Sequence, residues 1–346
     1  MTTKRVAAID CGTNSIRLLI ADLTSKPDHS ERLVGSSGSH QQPPLADVTR
    51  QMRIVRLGEG VDRTGRLSAA ALDRTMTALR EYAKLITDAK PEAVRMVATS
   101  ASRDAANAQE FTDRVVEILG VAPEVITGDE EAMLSFTGAT RELAGTTLAA
   151  ACSPPYLVTD IGGGSTEFVL GGADASQGPC GQGPRGQGPR GQVQSRSVNI
   201  GCVRLTERHL HGDPPLAAQV AATVADIDTA LDQVAATVPA AQARTLVGLA
   251  GSVTTVAAIA LGLAEYDSAR IHHSRISAAR VHGIADDLLA MTRAERAAIP
   301  VMHPGRIDVI GGGALILDRI MTRFGFTEVL VSEHDILDGI AWSLLP

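Results

Sequence analysis

Aromatic side chains make up only 3% of the 346 residues, with one Trp, three Tyr and five Phe. A platform that stacks single-stranded nucleic acid needs aromatic faces, so that class of function is excluded. The four cysteines (Cys11, Cys152, Cys180 and Cys202) form no C-x-x-C pair and no metal-ligand spacing. They read as isolated thiols of a reducing compartment, which points to the cytoplasm. No apolar run approaches the roughly 20 residues that span a bilayer. A net charge of -7 opposes non-specific attraction to nucleic acid or an anionic membrane. An anionic substrate is compatible with that charge only if a local group of arginines meets it.

What is present is a repeat. The segment from Arg5 to Asp22, RVAAIDCGTNSIRLLIAD, has the layout of Tyr156 to Gly172, YLVTDIGGGSTEFVLGG. In each, an apolar strand ends in Asp, a turn of small residues follows, and a second apolar strand begins. Asp10 pairs with Asp160, Gly12 with Gly162, Ser15 with Ser165, and Arg17 with Glu167. Downstream, Val55–Gly58 matches Val198–Gly201 as third strands, and helical patterns follow over Ser68–Asp88 and Pro214–Val238. Strands ending at Ser100 and Ser252 come next, each entering a helix. Strand–helix alternation after a hairpin meander predicts a mixed α/β sheet flanked by helices. The duplication predicts two such lobes of five strands each, facing a cleft. We place lobe I at residues 1–128 with 334–346 and lobe II at 129–333. A Gly/Pro-rich stretch over 171–196 repeats GQGPR and is expected as a flexible extension that carries Arg185, Arg190 and Arg196. A second loop is expected over Ser25–Asp47.

Turns without side chains let backbone N–H groups close on phosphate. Gly12, Thr13, Asn14 and Ser15, with Gly162, Gly163, Gly164 and Ser165, form two such turns. An Asp at the start of each, Asp10 and Asp160, would repel phosphate unless a divalent cation intervenes. Glu167 lies on the same strand side as Ser165 and adds another carboxylate. Arg103 sits in the first turn of a helix after a strand, where anions are favoured, though a surface ion pair is equally in keeping with its position. Glu130 and Glu131 also open a helix, where acidic residues ordinarily serve as caps. The histidines, among them His272, His273, His282 and His303, show no metal spacing and read as structural or surface residues.

Together IDCGTNSIRLLIAD, ATSASRDAAN, VITGDEEA, VTDIGGGSTEFVL, NIGCVRLTER, GLAGSVTTVAAI and RIDVIGGGALIL span Val6 to about Leu345. In this order they resemble the exopolyphosphatase/guanosine pentaphosphate phosphohydrolase family of the actin-like ATPase and sugar kinase superfamily. The resemblance implies two ribonuclease H-like lobes and hydrolysis of terminal phosphates from inorganic polyphosphate, or of the 5′ phosphate of pppGpp. It implies Glu131 as general base, with Asp160 and Glu167 (and Asp10 beside them) holding Mg²⁺ or Mn²⁺. The two turns would clamp the phosphoryl group, and Arg103 would neutralise it. A homodimer is expected. The chain ends at Pro346 without the extra C-terminal domains of many relatives, which suggests short polyphosphate as substrate. The run SEHDILDG departs from the family pattern and is expected to affect the last helix and not the active site. Rival readings are a sensor without catalysis and an ATP-dependent kinase or ATPase, for which Gly248–Thr255 is the candidate nucleotide pocket.

Overall fold

The computed structural model of the chain describes residues 3–24, 45–143, 152–172 and 193–345. Most of the Ser25–Asp47 loop, both GQGPR repeats with Arg185 and Arg190, and Cys180 lie outside the described residues.

The first sheet contains β1 (Thr3–Cys11), β2 (Ser15–Thr24), β3 (Leu45–Ile54), β4 (Ala93–Ala98) and β5 (Glu124–Val125), in the order β3-β2-β1-β4-β5. The first three form an antiparallel meander, and β1, β4 and β5 run parallel. The second contains β6 (Tyr156–Ile161), β7 (Thr166–Gly171), β8 (Gln194–Val198), β9 (Thr245–Leu249), β10 (Arg275–Ser277) and β11 (Glu328–Val331). Its order, β10-β11-β9-β6-β7-β8, repeats the first with one strand added. That sixth strand, β10, pairs antiparallel with β11 and corrects the expectation of five strands per lobe. Three residues of mixed exposure carry no alternation long enough to announce it.

The third strands also begin and end earlier than expected, at Leu45–Ile54 and Gln194–Val198. Val55–Gly58 and, just past the expected Val198–Gly201, the helical residues Cys202–Arg204 bond to the turns instead. Val55 and Arg56 both donate to the Asn14 carbonyl, and Gly58 donates to that of Thr13. Cys202 donates to Gly162, and Val203 and Arg204 donate to Gly163. Val55–Gly58, which reads as a strand, and the start of the helix after Gly201 therefore brace the two glycine-containing turns.

Strand β1 reads as a continuous apolar run because both faces of its sheet are covered. One face packs on the helix Ala69–Ala89, whose Leu72, Met76, Leu79 and Tyr82 recur at helical spacing. Ser68 caps that helix by accepting the Ala71 N–H. The other face packs on Ile336, Leu337, Ile340 and Trp342 of the helix Ile336–Trp342. The second lobe's main core gathers Leu157, Phe168, Leu231, Ile284 and Ile316. Among the described residues no helix is long and apolar enough to cross a membrane.

Two helices join the sheets: Gly128–Thr140, between β5 and β6, and Ile336–Trp342, which follows β11. They cross in backbone contact. A Cβ on Gly138 would sit 1.8 Å from the Asp335 carbonyl oxygen, and one on Gly339 would sit 2.0 Å from that of Leu134. Glycine at both positions is what allows the crossing.

Gly339→Ala should destabilise the protein by about 1–3 kcal/mol or more, through overpacking against backbone that has no room to move. Gly283→Ala is the control: its Cβ would meet nothing within 4 Å in the helix Ala278–Ala290. Helix propensity should then raise stability by about 0.5–1 kcal/mol. Urea unfolding of both variants measures the contrast, and equal midpoints would refute it.

Candidate active site

The duplication is exact at the turns. In the hairpin β1–β2, Asp10 stands opposite Arg17, and in β6–β7, Asp160 stands opposite Glu167. Gly12 N–H donates to the Ser15 carbonyl at 2.9 Å, and Gly162 N–H to that of Ser165 at 3.0 Å. The turns press against each other across the cleft. A Cβ on Gly164 would lie 2.7 Å from both Thr13 Oγ1 and Ser100 Oγ, which are themselves 2.8 Å apart.

Between the turns lies a cavity of about 100 Å³. Asp10, Gly12, Thr13, Asn14, Ser15, Glu131, Asp160, Gly162, Gly163 and Ser165 line it. Gly164 faces a neighbouring crevice beside Thr13 and Arg204. Arg103 and Glu167 are not on the cavity wall and lie behind it, against Glu131 and Asp160. Arg103 donates to Glu131 Oε2 at 3.3 Å and to the Ile126 carbonyl at 3.0 Å. Glu167 is buried beside Asp160 and accepts from Ser197 Oγ at 2.8 Å.

The helix that supplies Glu131 opens with a capping box. Thr127 Oγ1 accepts the Glu130 N–H, and Glu130 Oε2 accepts the Thr127 N–H at 2.9 Å. Glu130 is therefore a cap at the surface. Glu131, one residue on, turns inward and is 8% exposed. The ordinary role of acidic residues at a helix start accounts for the first and leaves the second for the cavity.

Further residues complete the wall. Arg17 donates from Nη2 to Asp10 Oδ2 at 2.6 Å, and its Nη1 bonds Asp335. Asp335 also accepts the Leu337 N–H at 3.0 Å. Ser135 Oγ donates to Asp160 Oδ2 at 2.6 Å. Arg306 lines the cavity and donates to Thr255 Oγ1 at 2.8 Å. Asp335 belongs to SEHDILDG, so the expectation that this run leaves the active site untouched is corrected: its carboxylate anchors the arginine that holds Asp10. Sequence reading marked Arg17 as the counterpart of Glu167 and went no further. Arg306 follows a proline–glycine pair that gives no local sign of its destination.

Burial sets the electrostatics. It raises the pKa of Asp10 against the pull of Arg17, and raises Asp160 to about 6 with help from Asp335. Burial and then Asp160 push Glu167 up to about 8. Burial and then Glu167 lift Glu131 well above the usual range, against Arg103. Asp335 goes the other way: burial opposes its charge, but Arg17, the Leu337 N–H and Arg50 outweigh that and hold it low. Asp10 Oδ1 is buried without a hydrogen-bond partner. An orphaned carboxylate oxygen among carboxyls that resist ionisation is a donor set suited to a hard divalent cation.

The Ppx/GppA phosphatase family pattern matches residues 33–346. The chain belongs to this family. It is 47% identical over 353 residues to exopolyphosphatase 2 of Mycobacterium tuberculosis, covering 99% of each chain. It is 27% identical to a guanosine-5′-triphosphate,3′-diphosphate pyrophosphatase of Aeromonas salmonicida, over 98% of this chain and 59% of that one. The crystal structure of an exopolyphosphatase-like protein superposes with a TM-score of 0.84 at 41% identity, covering 98% of both chains. The fold, a repeated mixed sheet of five and then six strands flanked by helices, is the one these relatives share, and the protein is a hydrolase.

A carboxyl whose pKa is raised on folding contributes stability below its unfolded value and loses it as pH rises through the folded value. Between pH 6.5 and 8 the titration of Glu167 should therefore lower the melting temperature of the metal-free protein. Half-buried His273, with its pKa lowered to about 4, works in the opposite direction but only below that window. Glu167→Gln should flatten the fall between pH 6.5 and 8. An unchanged slope in thermal melts would refute this assignment.

Proposed function

We propose that this chain is an exopolyphosphatase that removes terminal phosphates from inorganic polyphosphate, with Glu131 activating the attacking water. The observation that carries the reading is Glu131 itself, buried on the wall of a cavity between two phosphate-sized turns. Near neutral pH its raised proton affinity suits it to take a proton from water, and Arg103 at 3.3 Å fixes its orientation.

In this reading the backbone N–H groups of Gly12–Ser15 and Gly162–Ser165 grip the terminal phosphoryl oxygens. The water oxygen attacks phosphorus, the bridging P–O bond breaks, and the shortened chain leaves with that electron pair. Glu131 takes the water's proton. Arg17 and Arg306 add positive charge at the cavity wall. Asp10 and Asp160 on the wall, with Glu167 behind Asp160, would hold Mg²⁺ or Mn²⁺, which when bound withdraws charge from phosphate oxygens. Catalysis then consists mainly of positioning and charge neutralisation, as phosphoryl transfer requires.

A second cavity of about 470 Å³ adjoins the first and shares Arg17, Ala250, Gly251 and Arg306 with it. Its ligand-sized volume supports short chains as substrates. Tyr266, Pro300, Val301 and Met302 on its wall favour a second reading, a nucleoside-bearing substrate such as pppGpp. The 47% identity to an exopolyphosphatase, against 27% to the Aeromonas enzyme, supports polyphosphate first. Work in the cytoplasm as a homodimer completes the proposal.

Phosphate release from short polyphosphate, long polyphosphate, pppGpp and ATP, each with and without Mg²⁺, ranks these readings. Glu131→Gln should lower kcat on polyphosphate by about 10²–10⁴-fold while polyphosphate binding persists. Turnover of ATP alone would move the chain to the kinase or ATPase branch, and tight binding without release would make it a sensor.

A further inference from the structure

Away from the cleft, folding assembles a cluster that no sequence spacing announces. Glu142 lies two residues beyond the helix Gly128–Thr140, His334 two residues before the helix Ile336–Trp342, and His272 directly after the short helix Ser268–Ile271. One ligand atom from each lies within 4.8 Å of the others, and all three residues are half-buried.

The distances, which in the metal-free protein are those of His–Glu ion pairs, also fit a metal site. Metal bonds of about 2.0–2.1 Å in tetrahedral geometry place neighbouring ligand atoms about 3.4 Å apart. Glu142 Oε2 is 3.5 Å from His272 Nε2 and 3.3 Å from His334 Nδ1. Two edges of a tetrahedral face therefore already have the required length. The imidazoles of His272 and His334 stack with centroids 4.8 Å apart, which keeps both rings in place. The His273 ring lies tilted against His272 with centroids 3.6 Å apart, although its own backbone is held at φ 62°, a left-handed conformation rare for a non-glycine residue.

We propose that Glu142, His272 and His334 form a binding site for a divalent transition metal of the zinc class, with water as the fourth ligand. Two imidazoles and one carboxylate favour zinc, cobalt or nickel over magnesium, which prefers oxygen donors. The site is thus distinct in chemistry and position from the carboxylates of the cleft. His272 Nδ1 now accepts the Glu333 N–H at 3.1 Å. With a metal on Nε2, the imidazole's remaining proton resides on Nδ1. The Glu333 amide must then turn away, and Glu333 stands two residues before Asp335, the anchor of Arg17. Loading is felt along the segment that leads into the active site.

The test uses the full chain, stripped with chelator and held in excess Mg²⁺ so that oxygen-rich sites are filled. Zn²⁺ and Co²⁺ are titrated by calorimetry and, for Co²⁺, by visible absorption. One equivalent should bind, at least ten-fold more weakly in His334→Ala and in Glu142→Gln, and undiminished in Asp160→Asn. ¹⁵N resonances of the imidazoles in the unmutated protein give an independent readout if a variant fails to fold: Zn²⁺ should shift His272 Nε2 and His334 Nδ1. Equal affinity in all variants, loss in Asp160→Asn, or unmoved imidazole resonances would overturn the proposal.

Discussion

The arrangement of the cleft depends on one half-buried cation set between two buried carboxylates. Arg17 bonds Asp10 on one side and Asp335 on the other, and so ties the first phosphate turn to the chain as it returns from the second lobe. Asp335 then shares its backbone N–H with Asp338, which is fully buried and held by Arg50 of β3. Breaking a buried pair by removing one partner leaves an uncompensated charge that costs about 3–5 kcal/mol. Here the loss would also free Asp10, whose position defines the turn. Stability of the lobe junction and geometry of the reacting centre are therefore set by the same guanidinium.

The two lobes differ where chemistry requires it. At the position opposite the strand-end Asp, the first hairpin carries Arg17 and the second Glu167. The first lobe's carboxylate is paired and held in place. The second lobe's carboxylates are left to repel one another, which is the condition that draws in a cation. Arg204 closes the same junction from outside: it donates to the Gly164 carbonyl, to Asp62 at 2.5 Å and to Asp104 at 2.6 Å, and so fastens the second turn to two segments of the first lobe.

Much of this was legible in the sequence because its causes are local. The Asp–Gly turns, the helix after Ser68 and the equivalence of Asp10 with Asp160 rest on strand period, caps and small residues. The resemblance alone singled out Glu131, and the capping box adds the physical reason, since it uses up Glu130. What stayed hidden was non-local. Asp335 reaches the site from more than three hundred residues away in sequence, Arg306 from a loop, and β10 is too short to show a period. The histidines offered no spacing because their partners lie on three separate segments, brought together only by the folded crossing.

That crossing has a mechanical consequence. Where Gly138 and Gly339 let two helices touch backbone to backbone, no layer of side chains lies between them to shear or repack. Sliding would drive a carbonyl oxygen into a Cα, so the lobes are left with rotation about a fixed pivot. Points far from the pivot then travel further than points near it. Ser135, which holds Asp160, and Asp335, which holds Arg17, both sit at that pivot, so any such rotation would disturb these contacts least.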